Sequence, residues 1–174
     1  MKRPEPNEAA TYYSHYINLV PEGDIVDTLE KQLEETSSFL SEISEEKSLE
    51  RYAPDKWSLR ELLKHINDTE RIFVFRALWF ARGFTSPLPG FDQEIAVKGA
   101  GADQLSWASQ VEEFRSIRFS TVAFFRGLPK EAWDRSGIAS DNPFTVRALA
   151  YIAAGHVQHH ADVIRNRYLA TAAD

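Results

Sequence analysis

Apolar positions recur with helical period in four segments of the chain. Between Asp24 and Ile43, the residues Val26, Leu29, Leu33, Thr36, Leu40 and Ile43 follow one another at spacings of three and four. That spacing lays them along one stripe of a first helix. A second helix begins at "WSLRELLKH". Ser58 is its expected N-cap, and Glu61, three residues on, is the reciprocal partner of a capping box. The helix reaches about Arg82, where Gly83 stops it, and Leu62, Ile66, Phe73 and Phe80 form part of its inner face. A third helix spans residues 106–126 and ends at Gly127 and Pro129, with Val111, Phe114, Ile117, Val122 and Phe125 as apolar positions. The fourth starts at the N-cap Thr145 and continues to about Leu169. Its stripe is Val146, Ala150, Ala153, Val157, His160, Ile164 and Tyr168. His160 therefore stands where the pattern calls for an apolar side chain.

Two connections are long. Residues 83–104 are rich in Gly and Pro and lack a clean helical period, which is too much chain for a tight antiparallel turn. Such a segment can cross the length of a bundle, leaving the second and third helices parallel, and it can also cover a site. "LPKEAWDRSGIASDNPF" reads as a short helical turn followed by irregular chain, with no strong strand pattern. No internal repeat appears. Residues 1–20 are expected to form an ordered arm, because Tyr12, Tyr13, Tyr16 and Ile17 can pack on the bundle.

At 174 residues the chain fits a single domain, 1–174, large enough to bury a substantial core. The net charge of −6 argues against a sequence-independent grip on nucleic acid, which needs clustered cations to neutralise phosphates. There is no cysteine, so disulfides, thiolate metal sites and a cysteine nucleophile are excluded. The first residues, "MKRPEPNEAATYYSHY", contain no apolar core of signal-peptide length. The longest apolar-rich run, "IFVFRALWFA", is interrupted by Arg76 and is too short to span a bilayer. The expectation is a cytoplasmic protein without a membrane partner. Exposed apolar residues around the arm and the long connection make a homodimer plausible.

Candidate chemistry concentrates in "GHVQHH", which holds three of the five histidines. His156 and His160 are four apart and share one helix face, a spacing at which two imidazoles can hold one metal ion. His159 points about 100° away from His160 and lies toward the rim or solvent. A third ligand must come from elsewhere. His65, early in the second helix beside Leu62, Ile66, Thr69 and Ile72, is the better candidate; His15, in the Tyr-rich arm, is the other. Three neutral imidazoles from two helices would leave positions open for water or substrate, as in catalytic zinc sites. Asp68 and Asp162 each follow a histidine by three. Either can orient a ligand imidazole, and Asp68 can serve as a catalytic base. The competing reading is a solvated helix face, the common fate of such carboxylates. Likewise, paired helical histidines are often core residues hydrogen-bonded to their neighbours. The aromatic run Phe73, Phe75, Trp79 and Phe80, with Phe124 and Phe125, reads mainly as core.

The segments "YAPDKWSLRELLKHINDTERIF", "PLPGFDQE" and "FTVRALAYIAAGHVQHHADVIRNRYL" resemble the DinB/YfiT-like superfamily of metal-dependent proteins. The resemblance runs from Tyr12 to Leu169. It implies an all-α fold: a four-helix bundle with a long crossover between helices 2 and 3. It also implies a metal triad of His65, His156 and His160, the same residues that helix geometry favours. The family's ion is a divalent metal such as zinc or nickel. Members of known activity resemble S-transferases that use low-molecular-weight thiols such as bacillithiol or mycothiol, and a related group isomerises maleylpyruvate with mycothiol.

Three functions follow. The first is a metal-dependent transferase or hydrolase acting on a small molecule, in which the ion lowers the pKa of a thiol cosubstrate or of water. The second is a non-catalytic metal- or ligand-binding stress-response protein, which a fourth protein ligand would favour. The third has no metal, each imidazole being a hydrogen-bonded core group. The enzymatic reading is preferred, because the expected donor set leaves the ion open.

Overall fold

The computed structural model describes residues 2–170. Its elements in chain order are α1 (Ser14–Leu19), α2 (Ile25–Ser41), α3 (Leu59–Ala81), α4 (Gln93–Ala100), α5 (Trp107–Arg126), the hairpin β1 (Ser136–Ala139) and β2 (Asn142–Thr145), and α6 (Val146–Val163). The four helices expected from periodicity are α2, α3, α5 and α6. No helix among the described residues is long and apolar enough to cross a membrane.

The helix ends form where side chains can satisfy orphan amides. Asp24 accepts from the amides of Val26 and Asp27. Ser58 and Glu61 make the full reciprocal capping box. Ser106 caps α5 through the Ser109 amide, and Thr145 caps α6 through that of Ala148. Gly83, with φ +83°, turns the chain out of α3 in a conformation that suits a residue without Cβ. Beyond Val163 the last helix widens into a π-turn over Ile164–Tyr168. Within that turn Tyr168 is buried, and its hydroxyl donates to the Trp57 carbonyl at 2.6 Å.

Paired contacts give the helix directions. Lys64 meets Glu113 and Glu70 meets Arg118, so α3 and α5 run parallel. Residues 83–104 therefore cross the length of the bundle. Glu30 meets Arg126, and the Trp107 indole donates to the Leu40 carbonyl, so α2 and α5 are antiparallel. Trp57 meets Tyr168 and His65 meets His156, so α3 and α6 are antiparallel as well.

The apolar core falls into two clusters. One contains Ile25, Leu29, Phe73, Phe80, Phe125, Phe144 and Leu149. The other contains Leu40, Leu62, Ile66, Trp107, Phe114, Val157 and Ile164. Polar side chains lie between them at mid-height: Gln32 of α2, His65 and Glu70 of α3, Arg118 and Thr121 of α5, and His156 of α6. On α5 the inner position belongs to Arg118, fully buried, while Ile117 is only partly covered. Of the aromatic run, Phe73, Phe80 and Phe125 are core, whereas Phe75 is 47% exposed.

The arm, the crossover and the hairpin each reach α3. The arm forms α1, whose Tyr16 and Ile17 are buried against α6. Gly155 makes this approach feasible: a Cβ there would stand 1.9 Å from the Tyr16 carbonyl oxygen. The crossover contains α4, capped by Asp92. The segment before α6 forms a hairpin rather than irregular chain. Its register pairs Ser136 with Thr145 and Ala139 with Asn142. Ser140 and Asp141 make the turn at φ 49° and 60°, as a tight two-residue hairpin requires. The amide of Leu88 donates to Ile138 and that of Ser140 to Leu88, which fastens the crossover to the hairpin.

Candidate metal centre

Helices α3 and α6 meet at His65, His156 and His160. His65 is in the second turn of α3, His156 and His160 in the last turns of α6, and the antiparallel packing brings them level. The Nε2 of His156 is 3.1 Å from the Nε2 of His65 and 3.1 Å from that of His160. One ring nitrogen from each residue lies within 4.8 Å of the others. Nitrogens held about 2.1 Å from a tetrahedral ion stand roughly 3.4 Å apart, so three ring nitrogens already converge near the spacing one zinc-sized ion would need. Among the described residues no fourth His, Asp or Glu joins the group.

The surroundings keep these rings neutral. Burial pushes the His65 imidazole down to about 4. Burial, reinforced by the neighbouring imidazoles, holds His156 and His160 well below the ordinary histidine value. A neutral imidazole has a free lone pair on one nitrogen, which is what a metal takes. The Nδ1 of His65 is 3.3 Å from the Thr69 hydroxyl oxygen. With a proton on Nδ1, that contact fixes the tautomer whose Nε2 is open. The Nδ1 of His160 is buried without a hydrogen-bond partner. The rings of Tyr16 and Phe73 stand edge-on to His156, and Trp57 lies against His65. These contacts limit the rotation of two of the three imidazoles.

The other candidate residues are elsewhere. His159 is half-buried, with its ring near Tyr16 and His15. His15 stays with the arm, its ring against Tyr16, and does not join the three. Asp68 faces away: its carboxylate is held by Arg71 at 3.1 Å. Asp162 pairs with Gln158 and Arg165. Neither carboxylate makes a hydrogen bond to a triad imidazole. Thr69, one residue further along α3, takes the place expected of Asp68.

Two cavities flank the triad. A small one of about 100 Å³ touches His65 and His156 and is lined by Tyr12, Tyr13, Tyr16, Thr69, Arg76 and Ser140, among others. A larger one of about 320 Å³ touches His160 and His159 and is lined by Tyr52, Lys56, Trp57, Glu94 and Tyr168, among others. Gln93 borders the first and Glu94 the second, so the N-terminus of α4 sits between them. Sequence reasoning found the triad but not Arg76 or Ser140. A basic residue interrupting "IFVFRALWFA" was the available signal, since cations avoid the interior unless something there engages them.

A family model for the DinB superfamily matches residues 28–164. The chain belongs to the DinB superfamily. Among solved structures it resembles YfiT from Bacillus subtilis, described as a probable metal-dependent hydrolase with an unusual four-helix bundle topology. That match has a TM-score of 0.67 and 13% identity, covering 94% of this chain and 92% of YfiT. It also resembles a mycothiol-dependent maleylpyruvate isomerase, with a TM-score of 0.69 and 13% identity, covering 84% of this chain. The match spans only 61% of the isomerase. A comparison with curated proteins finds no significant match. At 13% identity the structural likeness establishes the shared fold and no more.

Proposed function

We propose that this DinB-superfamily protein is a metal-dependent enzyme in which His65, His156 and His160 hold one divalent ion, zinc or nickel. The observation that carries the reading is the convergence of three neutral imidazoles, two of them buried and His160 partly so, between two cavities. Three protein donors leave at least one position for a ligand from solution. When bound, the ion supplies a Lewis-acid centre that lowers the pKa of a thiol or of water.

The protein's own part is to hold and to shield. Thr69 keeps the His65 tautomer, and the Tyr16 and Phe73 rings keep His156 aimed inward. The larger cavity suits a bulky cosubstrate, and the smaller one suits a compact electrophile. The favoured reaction is S-transfer from a low-molecular-weight thiol, with hydrolysis as the related alternative. The chain has no cysteine of its own, so any sulfur nucleophile must come from solution.

Metal content of the untagged protein tests the reading. About one divalent ion per chain is expected in the wild type, with none in His65→Ala or His160→Ala. A wild type that carries no metal and takes up neither zinc nor nickel would sink it. A loaded protein would then be screened for thiol-dependent consumption of small electrophiles, with chelated protein as control.

A further inference from the structure

Among the described residues three arginines are buried, Arg60, Arg76 and Arg118, at 8%, 4% and 0% exposure. Two of them are neutralised: Arg60 pairs with Glu45 and Arg118 with Glu70. Arg76 is different. Among the described residues no carboxylate lies within ion-pair distance of it. Its contacts are neutral: Nη2 donates to the Pro89 carbonyl at 3.2 Å and to the Ser140 hydroxyl at 2.8 Å, and the Tyr13 hydroxyl is beside it. A buried cation without a counter-charge is costly, and an arginine does not escape the cost by losing its proton.

The position of this charge gives it a use. Arg76 lines the same small cavity as His65 and His156, and no carboxylate lines that cavity. Its volume, about 100 Å³, is that of about three waters, enough for a carboxylate on a short carbon stub. Nη2 spends both its hydrogens on Pro89 and Ser140, which leaves Nε and Nη1 to offer charge-assisted hydrogen bonds to a carboxylate. We infer that Arg76 is the anion-binding residue of this cavity, and that the small molecule taken there carries a carboxylate, which Arg76 holds beside the three-histidine centre. The second half rests on the metal reading; the anion site itself does not.

Acetate titrated at constant ionic strength, followed by its methyl NMR signal, tests this with acetamide as the uncharged control. The proteins are wild type, chelated and zinc-loaded, together with Arg76→Met, Arg76→Lys and His65→Ala. Acetate is expected to bind both wild-type forms while acetamide does not. Arg76→Met should weaken acetate at least tenfold, Arg76→Lys should retain part of it, and metal-free His65→Ala should still bind. Equal acetate binding by Arg76→Met and wild type would overturn the proposal, as would no binding by any form. Acetate that binds only loaded wild type, and is lost in His65→Ala but kept in Arg76→Met, would place the anion on the metal. That result would overturn the Arg76 site and leave the metal reading standing. Should Arg76→Met fail to fold, Ser140→Ala removes the hydroxyl that aims the guanidinium. It should weaken acetate several-fold, and an unchanged affinity there would count against the proposal.

Discussion

One helix, α3, carries two buried polar groups that solve the same problem in opposite ways. On its side facing α5, Glu70 accepts from Arg118 at 2.7 Å and from the Thr121 hydroxyl at 2.7 Å. Arg118 in turn donates to Gln32 at 2.8 Å, and Gln32 donates to the Ala154 carbonyl of α6 at 3.0 Å. Charge is balanced, and the Nε of Arg118 is the buried atom left without a partner in this chain of contacts. On its side facing α6, the three imidazoles point at one another, and no carboxylate among the described residues pairs with Arg76. The first group is closed on itself and ties four helices together. The second is left open toward two cavities.

The sharpest test of this contrast is to break the closed group. Arg118→Ala leaves the Glu70 carboxylate, 2% exposed, without its cation. Removing one member of a buried pair typically costs about 3–5 kcal/mol, a large fraction of a domain's stability. Denaturant unfolding should register a loss of that size. Loss of under 1 kcal/mol would mean that the two groups do not differ in kind.

The same contrast explains what could be read in advance. Helix periodicity and caps marked α2, α3, α5 and α6, because each buries a stripe along its whole length. The triad was legible for the same reason, as helical spacing places His156 and His160 together and marks His65 as an intruder on an apolar face. Arg118 was not legible: its neighbour Ile117 fits an apolar stripe better, and only the partner Glu70 makes burial of the cation tolerable. The hairpin was missed because its strands are four residues long and Pro143 breaks the second, giving no run of alternation. Arg76 escaped because its partners come from the arm, the crossover and the hairpin turn, none of which has a period that predicts where its chain goes.

A smaller effect is expected where the arm meets the site. In an ordinary helix interior, replacing glycine by alanine gains up to about 1 kcal/mol. At Gly155 the new Cβ would meet the Tyr16 backbone at 1.9 Å, and backbone cannot swing aside as a side-chain tip can. Overpacking of this kind costs about 1–3 kcal/mol, so Gly155→Ala should destabilise on balance. Displacing α1 also moves the Tyr16 ring from His156, so zinc uptake, read by competition with a chelating dye, should weaken. A Gly155→Ala protein at least as stable as wild type would show that α1 contributes little to holding the site.

Acid should separate the groups by another route. In the metal-free protein the folded His65 titrates near 4, below its unfolded value of 6.5. Between those values the unfolded chain binds the extra proton, so stability is present above 6.5 and is lost as pH falls toward 4. For His65 alone the loss by pH 5.5 is on the order of 1 kcal/mol. His156 and His160, shifted the same way, add to it. Thermal unfolding of chelated protein at pH 7.5 and 5.5 should show the drop, and His65→Ala should show less of it. An identical pH dependence in the two proteins would mean that the imidazole is not held neutral by burial.

The smallest effect on folding should come from Thr69→Val, and it bears most directly on what the open group is for. Valine matches threonine in shape, so the packing around His65 survives. What is lost is one long contact, 3.3 Å, between the hydroxyl and Nδ1. A hydrogen bond of that kind is worth about 1 kcal/mol at most to stability. Groups that orient a metal-binding imidazole typically matter more to the metal, about 10–100-fold in affinity. Thr69→Val should therefore unfold within about 1 kcal/mol of wild type while binding zinc at least tenfold more weakly. The reverse outcome, lower stability with zinc affinity unchanged, would make the Thr69–His65 contact part of the fold. The triad would then resemble the Glu70 cluster, a set of polar groups that satisfy one another rather than a site built for something else.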